Sequence, residues 1–521
     1  MSELDGCLIA RFAGTEPPDW LRRWLDDGLG GVLLFAANIA GPARLRALTA
    51  DLRSHNPRVL IAADEEGGAV TRLEARTGSS YPGNAALGAV DDTGLTRRVA
   101  ASMGAMLADG GVNLDLAPVA DLDSNPASPI IGVRSFGADP ARVGAHTAAF
   151  VAGLQSHLVA ACAKHFPGHG RTDTDSHLAR PVVGASLRDL RRTDLVPFRA
   201  AIAAGVRSVM TAHVVFSEVD AVPATISRRF LTGLLREELG FGGVIITDAL
   251  EMAAIGDGET SAAGAVRALA AGADLLCLPG TPAAQRLARE SLAGAVRDGT
   301  VPASRVAESA ARVAGLAAWA RADPGGGPEP SLGALAARRA LLVDAPLAEP
   351  GRLPLTAAPY VLDAGGRMSG LLRDASSSLL GVLRERAPGV DGIRLAEPAG
   401  YGDGPDTAGT ADAADGADAA DRLDKIIVRG TGRPFVLAVR DAHRLPWQRD
   451  LLGRVLARRP DAIVVGTGTS HDRPLAAGRY LGTLGSGRAS LEAAADVLLG
   501  AVRAGDQAGD QAGDQAGEWA G

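Results

Sequence analysis

Eight apolar runs of strand length recur through the first 320 residues of the chain, and longer stretches with helical character separate them. The runs are CLIARF (7–12), GVLLFA (31–36), VLIAAD (59–64), VNLDLA (112–117), VAACAKH (159–165), SVMTAH (208–213), GVIITD (243–248) and DLLCL (274–278). In ISRRFLTGLLREELG (226–240), Ser227 is placed as an N-cap and Gly240 as a C-terminal stop. Eight buried strands that alternate with helices predict a (β/α)8 barrel, a fold of the α/β class.

Polar side chains stand at the carboxyl ends of several of these runs. They are Asp64, Lys164, His165, His213 and Asp248. In a (β/α)8 barrel the carboxyl ends of the strands face the active site, and catalytic groups come from several different strands. Strands also end in polar residues simply because they reach the surface, but five such residues favour the functional interpretation. We therefore expect these side chains to line one cavity.

A second domain is predicted beyond a Pro- and Gly-rich break, RADPGGGPEPSL (321–332). After it, PFVLAVRD (434–441) and DAIVVGTG (461–468) indicate parallel strands flanking a helix, as in a smaller α/β domain. The predicted limits are 1–322 for the barrel, 323–335 for the linker, 336–503 for the second domain with an acidic insertion near 401–422, and 504–521 for a disordered tail in which GDQA is repeated.

Composition indicates which cellular compartment and which classes of partner suit the protein. The 521 residues carry a formal charge of −7, which argues against nucleic acid as the main partner. No apolar stretch reaches the ~20 residues of a membrane span, and the acidic N-terminus does not resemble a secretory signal. Three cysteines, Cys7, Cys162 and Cys277, lie within apolar runs and are expected to be buried free thiols. We expect a cytoplasmic protein without membrane or nucleic-acid partners.

The loop KHFPGHGRTDTDSH (164–177) contains three histidines, so a metal site is the first hypothesis to weigh. His165 and His169 have the spacing of ligands on one helical face, but the Phe-Pro-Gly between them disfavours a helix. The sequence also has no HExxH motif and no cysteine placed as a partner ligand. We therefore expect no metal at this loop.

Two other chemistries are open to the same loop. Lys164 could attack a carbonyl as a Schiff-base lysine, although it is equally suited to hydrogen-bond a substrate hydroxyl. Asp175 and His177 form the second possibility, because a carboxylate beside an imidazole fixes its tautomer and raises its pKa. Asp248, on another strand, then offers a nucleophilic carboxylate opposite a general acid, which is what displacement with retention at a glycosidic carbon requires.

Four segments carry a resemblance to a known family. They are DEEGGAVTR (64–72), NLDLAPVADLDSNPASPIIGVRSFG (113–137), KHFPGHGRTDTDSH (164–177) and TDALEM (247–252). In their order and spacing the chain resembles family 3 glycoside hydrolases, and among them the β-N-acetylglucosaminidases that use a His/Asp dyad. The resemblance covers residues 7 to about 320, and the second domain is similar to the α/β sandwich that follows the barrel in two-domain members.

The resemblance implies a role for each matching residue. Asp248 is implied as the nucleophile, and His177 as the general acid/base that Asp175 orients. Arg72 is implied to support Asp64. The residues implied to hold the hydroxyls of the terminal sugar are Asp64, Arg134, Lys164 and His165. The family's loop is often tightly bent at the bonds 164–165 and 166–167, where cis peptides are expected. His169 and His213 are interpreted as structural.

One position departs from the family pattern. Glu65 stands where the family usually has Gln, while Glu66, Gly67 and Gly68 match the motif. A carboxylate at this position should be paired or point away from the sugar. If it faces the sugar instead, recognition of the hydroxyls would differ.

The function implied is that of a retaining exo-β-N-acetylglucosaminidase that acts by double displacement on cell-wall or chitin-derived oligosaccharides. Its partner is a small-molecule oligosaccharide, and the sequence assigns no cofactor, no metal and no oligomeric state. Two alternatives stay open. A neutral histidine acid/base would tolerate phosphate as acceptor, as in a β-N-acetylglucosaminide phosphorylase. A non-catalytic sugar-binding protein could also keep the cleft.

Overall fold

A computed structural model describes residues 3–174, 180–252, 259–365, 377–395 and 423–500 of the chain. The chain forms two compact units. The first comprises Met1–Glu66, Val70–Ala75 and Asp91–Leu332, and the second comprises Gly67–Ala69, Arg76–Val90 and Gly333–Gly521. The predicted acidic insertion (401–422) and tail (504–521) lie outside the described residues, as do Asp175 and His177.

The first unit is built on a parallel barrel sheet. The strands described in it are β1 (Leu8–Ala10), β2 (Gly31–Leu34), β3 (Leu60–Ala63), β4 (Leu114–Asp115), β5 (Ala160–Phe166), β6 (Val182–Val183), β7 (Ser208–Thr211), β8 (Val215–Phe216), β9 (Val244–Ile246) and β10 (Leu276–Cys277). The sheet order is β10-β1-β2-β3-β4-β5-β7-β9, and a parallel bridge between Ile246 and Leu275 joins its two ends. β6 and β8 form a separate two-stranded parallel sheet. Each predicted run contains a barrel strand, so the predicted (β/α)8 barrel is confirmed.

Helices follow the strands along the chain. They are α1 (Asp19–Asp26), α2 (Pro42–His55), α3 (Asn84–Val90), α4 (Thr93–Asp109), α5 (Pro140–Gln155), α6 (Leu187–Arg192), α7 (Leu195–Ala203), α8 (Glu259–Ala271), α9 (Pro282–Arg297) and α10 (Ala303–Trp319). Local chemistry fixes several starts: Asp92 caps α4 by accepting the N–H of Leu95, and Asp139 caps α5 by accepting that of Arg142. Short 3-10 turns lie at Asp5–Cys7, Ala36–Asn38, Gly132–Arg134 and Ala224–Ile226.

The stretch predicted as a helix over 226–240 is helical, but Arg229–Glu238 is a π-helix. The side chain of Ser227 accepts the N–H of Phe230, and Gly240 adopts a positive φ of 66°, so both predicted ends are in place. The buried positions are Phe230, Leu231, Leu234 and Leu235. This spacing suits either helix type, which is why the pattern could not distinguish them.

The core of the barrel is apolar and includes the predicted thiols. Ile9, Leu60, Leu114, Cys162 and Ile246 belong to one buried cluster. All three cysteines of the chain are buried and free, as the sequence predicted. Within the described ranges, none of the helices has the length and apolar character that spanning a bilayer requires.

The second unit contains a separate six-stranded sheet. Its strands are β11 (Leu342–Val343), β12 (Tyr360–Asp363), β13 (Asp391–Arg394), β14 (Phe435–Val439), β15 (Ile463–Gly466) and β16 (Tyr480–Gly482), in the order β11-β16-β15-β14-β12-β13. β11 is antiparallel to β16, and the other pairs are parallel. Its helices include α11 (Pro330–Arg339), α12 (Ala345–Ala348), α13 (Leu379–Arg386), α14 (Pro446–Arg458) and α15 (Arg488–Leu499); residues 423–429 are also helical, and Ser470–Ala476 is a 3-10 turn.

Both faces of this sheet are covered by helices. Because successive residues of a strand point to opposite faces, Val436 packs in one hydrophobic cluster and Leu437 in another. The first cluster includes residues of α13 and α15, and the second includes residues of α14. The second unit is therefore the smaller α/β sandwich that was expected.

The two units do not follow the predicted limits throughout. α11 begins at Pro330, inside the stretch predicted as a linker (323–335), because proline suits the first turn of a helix. Gly67–Ala69 and Arg76–Val90 group with the second unit although they precede most of the barrel in the chain. Apart from these two differences, the predicted limits of the barrel (1–322) and of the second domain (336–503) remain predictions.

Candidate active site

The polar residues singled out in the sequence lie at the carboxyl ends of barrel strands. Asp64 follows β3 directly, Lys164 and His165 belong to the last part of β5, and Asp248 lies two residues beyond β9. Since neighbouring strands are parallel, their carboxyl ends share one end of the barrel.

Lys164 connects two of the carboxylates at this end. Its Nζ donates to Asp64 Oδ1 at 2.8 Å and lies 2.7 Å from Glu66 Oε1. Arg72 Nη2 lies 3.6 Å from Asp64 Oδ2. Burial alone would lower the pKa of Lys164. The negative charges of Asp64 and Glu66 have the larger effect and raise that pKa above its usual value. The ammonium group is therefore charged at neutral pH and unsuited to Schiff-base attack.

Arg134 joins the same network by hydrogen bonds to Glu66. Its Nε and Nη2 each donate to a different oxygen of Glu66 at 2.8 Å, and its Nη1 donates to the carbonyl of Ile130 at 3.1 Å. Burial acts to raise the pKa of Glu66, but Arg134 and Lys164 hold it well below its usual range. Sequence reasoning gave Glu66 no role of its own; its place in the DEEGG motif was the only signal.

His165 is held by a carboxylate that sequence reasoning missed. Asp121 Oδ2 lies 2.6 Å from His165 Nδ1, and Asp121 also accepts the backbone N–H groups of His165 and His169. Burial acts to raise the pKa of Asp121, but His165 outweighs it and lowers that pKa. With Nδ1 engaged by a carboxylate, Nε2 is the ring nitrogen left to meet a ligand. The bonds Lys164–His165 and Phe166–Pro167 are both cis.

Glu65 is fully buried, and the main chain occupies one of its oxygens. Glu65 Oε2 accepts the N–H of Arg72 at 2.8 Å and that of Leu73 at 3.0 Å. Its own N–H donates to Asp115 Oδ1 at 3.0 Å. Burial raises the pKa of Glu65 to about 7 and also raises the pKa of Asp115. The carboxyl group is thus paired with the backbone, one of the two arrangements anticipated for it.

The other two histidines at this end of the barrel bind neighbouring loop atoms. His169 Nδ1 lies 2.8 Å from Thr172 Oγ1, and burial lowers the pKa of His169 to about 4. His213 Nδ1 lies 2.7 Å from Thr225 Oγ1, and its Nε2 lies 3.0 Å from the carbonyl of Ala249. The His213 ring connects separate segments of the chain, whereas His169 Nδ1 bonds within its own loop. Among the described residues, no group of three His, Cys, Asp or Glu has an arrangement suited to a metal ion.

Asp248 is half-buried, and its Oδ1 accepts the N–H of Ala249 at 2.7 Å. The negative charge of Asp248 acts on both Arg11 and His169, so all three share one electrostatic environment. Arg11 comes directly after β1 and forms an ion pair with Glu251. Burial lowers the pKa of Arg11. Sequence reasoning missed Arg11, although it too is a polar residue at the end of an apolar run.

The site thus has fixed hydrogen-bonding groups that suit sugar hydroxyls and a half-buried carboxylate on another strand. Such a site at the carboxyl end of a (β/α)8 barrel is that of a glycoside hydrolase. Residues 16–316 match the model of the glycosyl hydrolase family 3 N-terminal domain. The chain belongs to glycosyl hydrolase family 3.

Individual relatives agree with the family. A β-hexosaminidase of Thiobacillus denitrificans is 42% identical over 281 residues, which cover 52% of this chain and 76% of that protein. A family 3 β-N-acetylglucosaminidase from Paenibacillus sp. superposes with a TM-score of 0.83 at 31% identity, covering 96% of each chain. NagZ from Neisseria gonorrhoeae, solved with N-trifluoroacetyl-D-glucosamine, has a TM-score of 0.51 at 32% identity and covers 60% of this chain and 98% of its own.

Proposed function

We propose that the protein is a retaining exo-β-N-acetylglucosaminidase that releases terminal β-linked N-acetylglucosamine from cell-wall or chitin-derived oligosaccharides. The observation that carries the proposal is the buried network of Asp64, Lys164, Glu66 and Arg134 on the same barrel end as Asp248. The relatives named above act as β-hexosaminidases or β-N-acetylglucosaminidases, or bind an N-acylated glucosamine.

The network supplies donors and acceptors in alternation, which suits hydroxyl groups because each hydroxyl both donates and accepts. Asp64 accepts, and Lys164, Arg134 and His165 Nε2 are assigned as the remaining contacts to the terminal sugar. Arg72 holds Asp64 in place. These residues are at most 6% exposed, so a sugar that reaches them leaves bulk water, which favours recognition of a chain end.

Asp248 is assigned as the nucleophile. One of its oxygens attacks the anomeric carbon while the glycosidic oxygen leaves and takes a proton from His177. Water then attacks the glycosyl–Asp248 ester, gives a proton to His177 and releases the sugar with the original anomeric configuration. Asp175 is assigned to orient His177. His177 gives its proton as the imidazolium and is left as a neutral imidazole, so it adds no second anion beside the acetamido carbonyl of the substrate.

We also propose a cellular compartment for the enzyme. Three buried free thiols suit a reducing compartment, so we assign the enzyme to the cytoplasm, where wall fragments taken up for recycling would be its substrates.

Turnover of 4-nitrophenyl β-N-acetylglucosaminide, with the matching β-glucoside and β-xyloside as controls, tests the function. We expect the N-acetylglucosaminide to have the highest kcat/KM of the three. Binding of N-acetylglucosamine without turnover of any substrate would indicate a non-catalytic sugar-binding protein. Product analysis in phosphate buffer separates hydrolysis from phosphorolysis, because only a phosphorylase would release mainly the sugar 1-phosphate.

A further inference from the structure

A buried arginine with a guanidinium nitrogen that lacks an acceptor in the described structure lies at the carboxyl edge of the sheet in the second unit. Arg440 directly follows β14 and is 6% exposed. Within the described ranges, its Nη2 has no hydrogen-bond partner. Burial lowers the pKa of Arg440 to about 10, which still leaves the guanidinium charged at neutral pH. A buried charge without a partner is strongly unfavourable, so an arrangement of this kind calls for an explanation.

The nearby carboxylates already accept hydrogen bonds from other side chains. Asp441 Oδ2 accepts from Arg444 Nη2 at 2.8 Å. Asp472 Oδ1 lies 2.7 Å from His443 Nδ1 and accepts the backbone N–H of His443 at 2.8 Å. The charge of Asp441 also acts on Arg440, but among the described residues no carboxylate forms an ion pair with the Arg440 guanidinium.

Two further buried donors belong to the first turn of α14, which a hydrogen bond joins to Arg440. Gln448 Oε1 accepts the backbone N–H of Arg440 at 2.9 Å, which places the amide next to that residue. Gln448 Nε2 and Trp447 Nε1 are buried, and neither has a hydrogen-bond partner in the described part of the chain. Thr469 Oγ1 and Asp472 Oδ2, which follow β15, are also without partners there. Donors therefore predominate among the unsatisfied atoms.

The topology puts these residues where α/β sheets bind ligands. From β12 the chain adds β13 on one side and then crosses to add β14, β15 and β16 on the other. The order of the parallel strands therefore reverses between β12 and β14, and Arg440 follows one of these two strands. Ligands of open α/β sheets bind outside the carboxyl ends at such a point. α14, which has 13 residues, also presents the positive end of its dipole here.

We propose that Arg440 and the first turn of α14, with Trp447 and Gln448, bind the oxyanion group of a small ligand, a carboxylate or a phosphate. The planar guanidinium fork fits either group with paired hydrogen bonds. The site consists of residues of the second unit alone and does not depend on the activity proposed for the barrel.

Thermal unfolding of the full chain with added anions tests the proposal. Inorganic phosphate and propionate are titrated separately at an ionic strength held constant with sodium chloride, for the wild type, Arg440→Gln and Arg454→Gln. Arg454 is the matched control, because it lies on the same helix α14 and forms an exposed pair with Asp450. Phosphate stabilises many proteins by exclusion from their surfaces, and that general effect should be equal in all three chains.

We expect a saturating rise in Tm with at least one anion in the wild type and in Arg454→Gln, and no such rise in Arg440→Gln. The anion that produces the rise identifies the group as phosphate or carboxylate. Without anion, Arg440→Gln should melt no lower than the wild type, because the substitution removes a buried charge that forms no ion pair in the described structure. An equal response in all three chains, or no saturating response in the wild type, would overturn the proposal.

A second variant covers the case in which Arg440→Gln does not fold. Trp447→Phe keeps the aromatic packing and removes one donor, so the anion concentration at half-saturation should rise about tenfold. An unchanged half-saturation concentration in Trp447→Phe would also overturn the proposal.

Discussion

Glu66 is the residue through which the two cations of the barrel site are joined. Arg134 donates to both of its oxygens, and Lys164 lies 2.7 Å from one of them. Removing its charge leaves two buried cations with only part of their compensation. A buried ion pair that loses one partner is strongly destabilising, whereas an exposed pair contributes little.

Glu66→Gln should therefore lower the free energy of unfolding by about 3–5 kcal/mol, measured by urea denaturation. Glu308→Gln is the control, because Glu308 is 59% exposed in its pair with Arg305 and its loss should cost less than about 1 kcal/mol. Equal effects of the two substitutions would contradict the role of Glu66 as the centre of the network.

Glu65→Gln should stabilise the protein increasingly as the pH rises. In the unfolded chain Glu65 ionises near its ordinary pKa of 4.5, and in the folded protein burial raises its pKa to about 7. Between these values the folded state holds a proton that the unfolded state has lost, so the stability of the wild type falls as the pH rises through this window. Gln keeps the acceptor for Arg72 and Leu73 without ionising. The Tm advantage of the variant should be larger at pH 8 than at pH 5; a pH-independent difference would refute this.

For individual residues, the sequence predicted which side chains lie at the carboxyl end of the barrel but not which of them pair with one another. Asp64, Lys164 and His165 were recognisable because each ends an apolar run. Asp121 and Glu66 were not, since their partners lie 44 and 68 positions away, respectively, and only the fold brings them into contact.

The loop after β5 is the element on which the barrel site most depends. Asp121 holds its start by bonds to both the ring and the backbone of His165, and to the backbone of His169. Asp121 touches no reacting atom in the proposed mechanism, so we assign it as a positioning residue. Its carboxylate determines where His165 Nε2 points.

Asp121→Asn should lower kcat/KM by about tenfold or more, because small displacements of a positioned group reduce rates strongly. Since His165 is assigned to hold the sugar rather than to move a proton, most of this loss should appear as a rise in KM, with a smaller fall in kcat. A purely structural role would lower Tm and leave KM unchanged. Steady-state kinetics at one pH, together with Tm, distinguish the two cases.

His177→Ala tests the far end of the same loop. Substrates with poor leaving groups need protonation of the glycosidic oxygen, whereas activated aryl glycosides hardly do. Activity on N-acetylglucosamine disaccharides should therefore fall far more than activity on the 4-nitrophenyl substrate. Equal losses on both would remove the acid role from His177.

Among the elements, the barrel strands were predictable because each is a short apolar run in alternation with helices. The runs overestimated strand length: VNLDLA (112–117) contains only Leu114–Asp115 as β4, because hydropathy marks buried residues rather than ladder hydrogen bonds. The π-helix Arg229–Glu238 was not predictable for a related reason, since burial at four positions fits both helix types.

For the whole molecule, local patterns predicted two α/β folds but not every segment's place in them. PFVLAVRD (434–441) and DAIVVGTG (461–468) identified the central parallel strands of the second unit, and β14 and β15 confirm them. The grouping of Arg76–Val90 with that unit depends on packing between residues distant in the chain, which no local pattern records.

The central claim is that the barrel cleaves β-N-acetylglucosaminides through a covalent intermediate on Asp248. Incubation with a 5-fluoro N-acetylglucosaminyl fluoride, followed by tryptic digestion and mass spectrometry, tests it most directly. The label should appear on the peptide spanning 237–267, with fragmentation placing it on Asp248, and Asp248→Asn should remain unlabelled. Labelling at another carboxylate, or no label in a protein that turns over the 4-nitrophenyl substrate, would contradict the account.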